Sequence, residues 1–205
     1  LAPSQFMLKK RFNTALDFLF PQFCCCCEDS ITGTALLCEQ CQNLLPRVCF
    51  SCCRCGQTLG QETDACGACL TDPCPQSHTI APFWFDGTIA EKLKQYKYGL
   101  KPQLASALAD LLLFELEEGF SIYSERAYTG IVPIPSERSK LIHRGFNPAA
   151  LLAKHLGSAL GIPVHYSVLH KKDNSPSQVG SSRPERLRQA RGQFRVKHSA
   201  LNILI

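Results

Sequence analysis

Four C-x-x-C pairs constrain this chain more than any other feature. They are Cys24/Cys27, Cys38/Cys41, Cys52/Cys55 and Cys66/Cys69, and their first members recur with a constant step of 14 residues. A C-x-x-C turn sets two thiolates on one side of a tight loop, and two such turns complete a four-thiolate tetrahedral shell. Eight ligands therefore predict two structural zinc ions. Sequential pairing gives two stacked zinc ribbons; cross-braced pairing (first with third, second with fourth) satisfies the same spacing. The chain holds 13 cysteines, an odd number, with Cys25, Cys26, Cys49, Cys53 and Cys74 in surplus. Cys49 with Cys52 also has the C-x-x-C form, so a shifted third pair is an alternative. Iron–sulfur ligation and a disulfide or reduced thiol cluster are the competing readings. A closed four-thiolate shell has no open coordination position, so these metals are expected to hold structure and do no chemistry. Thiolate ligands fit a reducing compartment, and the expected location is cytoplasmic.

Charge divides the chain into parts. Residues 24–74 hold two basic and six acidic residues, net −4, whereas residues 134–205 hold twelve basic and three acidic, net +9. A zinc module that grips nucleic acid usually presents a basic face. The acidic cysteine-rich part argues against that use. The positive charge at the far end suits an anionic ligand or nucleic acid. No run approaches the roughly 18 consecutive apolar residues of a membrane span, so no membrane span is expected. Leu8 to Phe23 does not read as a secretory signal, because Asp17 and Pro21 interrupt it.

Apolar positions Leu8, Phe12, Ala15, Leu16 and Leu19 predict an amphipathic helix over Leu8–Phe20, ended by Pro21. Beyond the cysteines, His78–Phe85 reads as a strand, Thr88–Tyr98 and Gln103–Glu118 as helices, and Gly130–Ile134 as a short apolar strand. Pro135–Gly145 reads as a polar, basic turn. Asn147 is a good N-cap and Pro148 suits the first helical position, predicting a helix to about Leu160, stopped by Gly161. Pro163–Leu169 reads as a strand, His170–Ser182 as a polar loop, Pro184–Arg191 as a short helix, and Phe194–Val196 and Leu201–Ile205 as extended. Strands alternating with helices after residue 78 predict an α/β domain with a mainly parallel sheet, whose ligands bind beyond the C-terminal strand ends.

One loop has chemistry suited to phosphate. The strand ending at Ile134 leads into Arg138, Lys140 and Arg144, then Gly145, then the N-terminus of the Asn147 helix with its free N–H groups. Together these suit a pyrophosphate. The alternative is that Arg144 and Asn147 only cap and brace the turn.

The stretch I-V-P-I-P-S-E-R-S-K-L-I-H-R-G-F-N at 131–147 resembles the signature of the ComF family of competence-associated proteins. K-K-R-F-N-T-A-L-D-F-L-F-P ahead of the first cysteines, L-K-Q-Y-K-Y-G-L-K, and S-P-S-Q-V-G-S-S-R-P-E-R-L-R-Q-A-R-G-Q-F-R-V are similar to other parts of that family. The R-G-F-N step is the most specific. Pro148 and Gln189 depart from it, where the family usually has Gln and Asn.

The resemblance implies an N-terminal helix over 1–23, a double zinc ribbon over 24–76, and a type I phosphoribosyltransferase-like domain over 77–205. It implies phosphoribosyl pyrophosphate as ligand, with Mg2+, and a role in DNA uptake. Arg138, Lys140, Arg144 and Gly145 fall on the pyrophosphate side, with Asn147 fixing the loop. Lys97, Lys101, Gln178 and Arg186 fall at the mouth. No D-D-x-x-T-T-G, the family's ribose- and 5′-phosphate-binding motif, occurs in this sequence. The chain is therefore expected to be truncated within the phosphoribosyltransferase-like domain and inactive as given. The alternative function is a non-catalytic, zinc-dependent adaptor handling single-stranded DNA or DNA-uptake proteins.

Overall fold

A computed structural model describes residues 22–24, 26–31, 37–72, 76–119, 128–172, 185, 192–197 and 203–204. The helices expected at Leu8–Phe20 and, Glu185 apart, at Pro184–Arg191 lie outside the described residues, as does most of the His170–Ser182 loop. The chain forms two compact units, Leu1–Leu93 and Lys94–Ile205.

The first unit is built from one motif used twice. Strands β1 (Gln22–Phe23) and β2 (Ser30–Ile31) pair antiparallel, with Phe23 opposite Ser30. The turn between them closes through Cys24 N–H to Asp29 O at 2.8 Å and Glu28 N–H to Cys24 O at 2.9 Å. Helix α1 (Glu39–Asn43) follows Cys38 as N-cap. Adding 28 to each number gives the second copy. Ser51 bridges Thr58, Cys52 N–H donates to Gln57 O at 2.8 Å, Gly56 N–H to Cys52 O at 2.9 Å, and helix α2 (Gly67–Thr71) follows Cys66. Such short strands and helices cannot stand alone. The core of the second copy is mostly sulfur: buried Cys52, Cys66 and Cys69 pack with Cys55, Leu59 and Ala65.

The expected strand His78–Phe85 is corrected. It makes one antiparallel bridge, Phe83 to Arg47, and lies along residues 46–53 through Thr79 N–H to Cys53 O, Val48 N–H to Pro82 O and Trp84 N–H to Pro46 O. Pro82 has no N–H to donate, so a regular ladder cannot form there. Helix α3 (Gly87–Tyr98) follows, and the division between units falls inside it.

The second unit mixes helices and strands, as the alternation predicts, and among the described residues its sheets are two-stranded. Helix α4 (Leu104–Gly119) buries Ala105, Ala107, Leu108, Ala109, Leu111 and Leu113. Strand β3 (Gly130–Ile131) pairs parallel with β6 (Ile203–Leu204), and Ile131 also bridges Val164 in parallel on its other side. Ile131 and Val132 are buried there. Helix α5 (Arg138–Arg144) leads to helix α6 (Pro148–Leu160), which packs on α4. Asn147 caps α6, Pro148 opens it and Gly161 ends it in the left-handed region, as expected from the sequence. The expected strand Pro163–Leu169 reduces to the Val164 bridge. Strand β4 (Leu169–Lys171) instead pairs antiparallel with β5 (Phe194–Val196). The expected turn Pro135–Gly145 is likewise corrected, being helical from Arg138. Among the described residues no helix is long and apolar enough to cross a membrane.

Gly157 marks where α6 presses on the strand layer. A Cβ there would lie 2.6 Å from Val164 Cγ2 and 2.8 Å from the Ile162 carbonyl oxygen. Alanine gains at most about 1 kcal/mol in helix propensity. Overpacking against backbone costs about 1–3 kcal/mol. Gly157→Ala is therefore expected to lower stability, read as a lower urea midpoint with unchanged slope.

Candidate metal centres and cationic site

The structure gathers the eight paired cysteines sequentially. In each of the sets Cys24, Cys27, Cys38, Cys41 and Cys52, Cys55, Cys66, Cys69, the four Sγ atoms lie within 4.8 Å of one another. Cross-bracing is thereby excluded, as is the shifted pair, since Cys52 joins its cluster with Cys55. The other described cysteines, Cys26, Cys49 and Cys53, belong to neither set; Cys25 and Cys74 lie outside the described residues. No described cysteine forms a disulfide.

Tetrahedral zinc with Zn–S bonds of about 2.3 Å needs sulfurs about 3.8 Å apart. Cys27 and Cys38 stand at 3.6 Å, and Cys55 and Cys66 at 3.7 Å. The donor set fits the ion.

Local backbone prepares each cluster for charge. Burial pushes the Cys24 thiol up, but N–H groups of Cys27, Cys38 and Cys26 outweigh it and bring it down to about 6. N–H groups of Cys55 and Cys66, with that of Arg54, likewise lower Cys52 to about 6 against its burial. The donors match at a shift of 28. Cys27, Cys41 and Cys55 resist ionisation. The Asp29 N–H favours the Cys27 thiolate, but the Asp29 carboxylate, burial and the thiols of Cys24 and Cys38 push Cys27 up to about 11. Burial and then its thiol neighbours push Cys41 up. In Cys55 the Gln57 N–H lowers the thiol, yet burial and its neighbours leave it raised. One thiolate forms readily and opposes the rest, a repulsion that a divalent cation relieves.

The second unit holds the candidate cationic site. Arg138, Lys140 and Arg144 all lie on α5. Lys140 and Arg144, four apart, share a face, whereas Arg138 points to another side. Lys140 pairs with Glu137 at 3.3 Å and holds that carboxyl below its usual range. Arg144 lies over the Tyr98 ring, 4.8 Å from its centroid. Gly145 takes φ 75° to cap α5, its N–H reaching Leu141 O at 2.8 Å. That conformation, disfavoured for residues with a Cβ, is why glycine stands there.

Asn147 braces the loop completely. Its Oδ1 accepts from Ala149 N–H and from the Ser136 hydroxyl, each at 3.1 Å, and its Nδ2 donates to Ile134 O at 3.0 Å. Lys97 and Lys101 are exposed at and just beyond the end of α3, and Lys101 Nζ reaches Gln95 Oε1 at 3.3 Å. Gln178 and Arg186 lie outside the described residues.

Sequence reasoning missed the aromatic support. Tyr96 is fully enclosed; its hydroxyl donates to Pro148 O at 2.7 Å, and its ring lies 5.7 Å from that of Phe146. Burial pushes its phenol up to about 12, so it stays a donor. The signal was present as Tyr96 and Tyr98 flanking Lys97.

Asn147→Ala is expected to cost about 1–2 kcal/mol through the lost cap. Asn147→Asp keeps the cap and adds a negative charge at a helix N-terminus, but loses the bond to Ile134, whose carbonyl then faces a carboxylate oxygen. Denaturant unfolding should rank them wild type, Asp, Ala.

No family model matches this sequence, and no solved structure matches it. Curated relatives do. The chain is 26% identical over 167 residues to the DNA utilization protein YhgH of Salmonella typhi, covering 78% of this chain and 71% of that protein. It is 22% identical over 158 residues to Competence protein F of Haemophilus influenzae, covering 77% and 69%. It is 24% identical over 178 residues to YhgH of Escherichia coli, covering 86% and 78%. The resemblance to competence-associated proteins is borne out by these likenesses.

Proposed function

We propose, for a chain similar to competence and DNA utilization proteins, a zinc-bearing protein of DNA uptake whose second unit carries the pyrophosphate side of a phosphoribosyl-pyrophosphate site on a type I phosphoribosyltransferase-like scaffold, without the D-D-x-x-T-T-G motif that holds the ribose and 5′-phosphate. The observation that carries this reading is the arrangement after β3. A buried parallel strand, flanked in parallel by β6 and by Val164, leads into the Asn147-braced loop, the α5 cations and the start of α6. Ligands of parallel sheets sit beyond such strand ends.

In this reading Arg144, Lys140 and Arg138 supply positive charge to the diphosphate, Gly145 ends α5 beside it, and Asn147 keeps the loop in shape. Tyr98 holds the Arg144 guanidinium in place, and Lys97 and Lys101 line the mouth. Gln178 and Arg186 complete the expected set. Mg2+, when bound with the ligand, would neutralise part of the pyrophosphate charge. The first unit would use two zinc ions as structural ties, since neither four-sulfur shell has a free position.

A second reading, a non-catalytic adaptor for single-stranded DNA or DNA-uptake proteins, is favoured by the net +9 of residues 134–205 and the names of the relatives. One set of titrations separates the two. Calorimetry with phosphoribosyl pyrophosphate and Mg2+, on a form of the protein that carries the D-D-x-x-T-T-G motif, should show binding that Arg144→Ala weakens roughly tenfold, one charge-assisted contact. Lys154→Ala, an exposed control on α6, should leave it unchanged. No heat at millimolar ligand, with salt-dependent binding of single-stranded DNA, would shift the assignment to the adaptor.

A further inference from the structure

The 28-residue shift makes the two metal centres a matched pair, so each difference between them can be read position by position. Where the first has Glu28 at φ 63°, the second has Gly56 at φ 69°. A left-handed conformation disfavours any residue with a Cβ, so the first turn is strained where the second is relaxed. Where the first has Asp29, its carboxylate 3.1 Å from Cys27 Sγ, the second has neutral Gln57. A four-thiolate zinc centre carries a formal charge of −2, and an adjacent carboxylate opposes it. Between the paired cysteines, Cys26 in the first corresponds to Arg54 in the second. Exposure follows the same order. Cys27 is exposed and Cys38 half-buried, against half-buried Cys55 and buried Cys66.

Cys26 is a further thiol beside the first centre, outside its four-sulfur set but near enough to Cys41 to be among the thiols that push it up. Its Sγ accepts from the Thr88 hydroxyl at 3.5 Å, and it lines a cavity of about 230 Å³ together with Cys41, Asp86, Gly87, Thr88 and Leu44. That volume admits a small thiol or chelator directly beside one of the metal ligands.

We infer that the first centre is an exchangeable zinc site, with Cys26 as the spare ligand through which zinc is handed to incoming small thiols, while the second is a fixed structural site. In the exchange the Cys26 thiol gives up a proton and its sulfur binds zinc. The Cys27 sulfur leaves and takes up a proton. No electrons move and the charge is conserved. An incoming thiol repeats the step from the cavity side. The inference rests on the reading that both centres bind zinc.

The test uses the full chain, analysed first for zinc and then mixed with excess 4-(2-pyridylazo)resorcinol. Two zinc ions per chain should leave in two phases of equal amplitude, with rates at least about tenfold apart, the order expected from one strained turn. Cys26→Ser should slow the fast phase. A triple variant carrying Cys26→Arg, Glu28→Gly and Asp29→Gln, the residues of the second centre, should bring the fast phase close to the slow one. Glu28→Gly alone relieves strain and should slow it severalfold, which covers the case of a misfolded triple variant. A single common rate in the wild type, or a fast phase unaltered by these substitutions, would overturn the inference. Fewer than two zinc ions per chain would instead sink the metal reading itself, and the inference with it.

Discussion

Four thiols held within 4.8 Å of one another cannot all ionise in isolation, and the first unit is built around two such groups. Its strands are two residues long and its cysteine-capped helices five. Elements this short gain too little from hydrogen bonding or apolar burial to order themselves. The sulfur clusters supply the missing cross-links. Backbone N–H groups make the first thiolate of each easy to form, and the resistance of Cys27, Cys41 and Cys55 is relieved by a cation. The same turn, reproduced at a shift of 28, shows one local solution used twice.

The second unit is organised differently, by carbon packing and backbone pairing. Helix α4 brings a row of small and branched apolar side chains, α6 approaches closely at Gly157, and β3 lies between parallel neighbours. Function in such an arrangement collects at the loop leaving β3. There Asn147 ties three groups together, so the cations of α5 and the start of α6 keep a defined relation to each other. Tyr96 ties α3 to the same junction through the Pro148 carbonyl.

The metal centres were the most legible part of the sequence, because C-x-x-C spacing maps directly onto local turn geometry. Only the pairing between turns was open, since that depends on contacts the spacing does not encode. The caps of α6 were equally plain, as Asn147, Pro148 and Gly161 each act within a turn of helix. The basic stretch 138–144 looked like a turn because Pro135 and Gly145 bracket a polar run. Its helix is short and buries none of its residues, so no apolar periodicity announced it. His78–Phe85 looked like a sheet strand from its apolar residues, yet those residues accompany the segment 46–53. Pro163–Leu169 was legible in part: its start pairs in parallel with Ile131 and Leu169 opens β4, but the split between two partners is set by tertiary context. Tyr96 and Tyr98 flank Lys97 in plain view, but nothing local says that Tyr98 stands under Arg144, which lies far along the chain.

The account stands or falls on sulfur coordination. X-ray absorption at the zinc edge of the purified, reduced chain measures it directly. The expected spectrum fits four sulfur neighbours per zinc at about 2.3 Å, with no nitrogen or oxygen shell. A fit requiring light-atom ligands, or fewer than four sulfurs per ion, would contradict it.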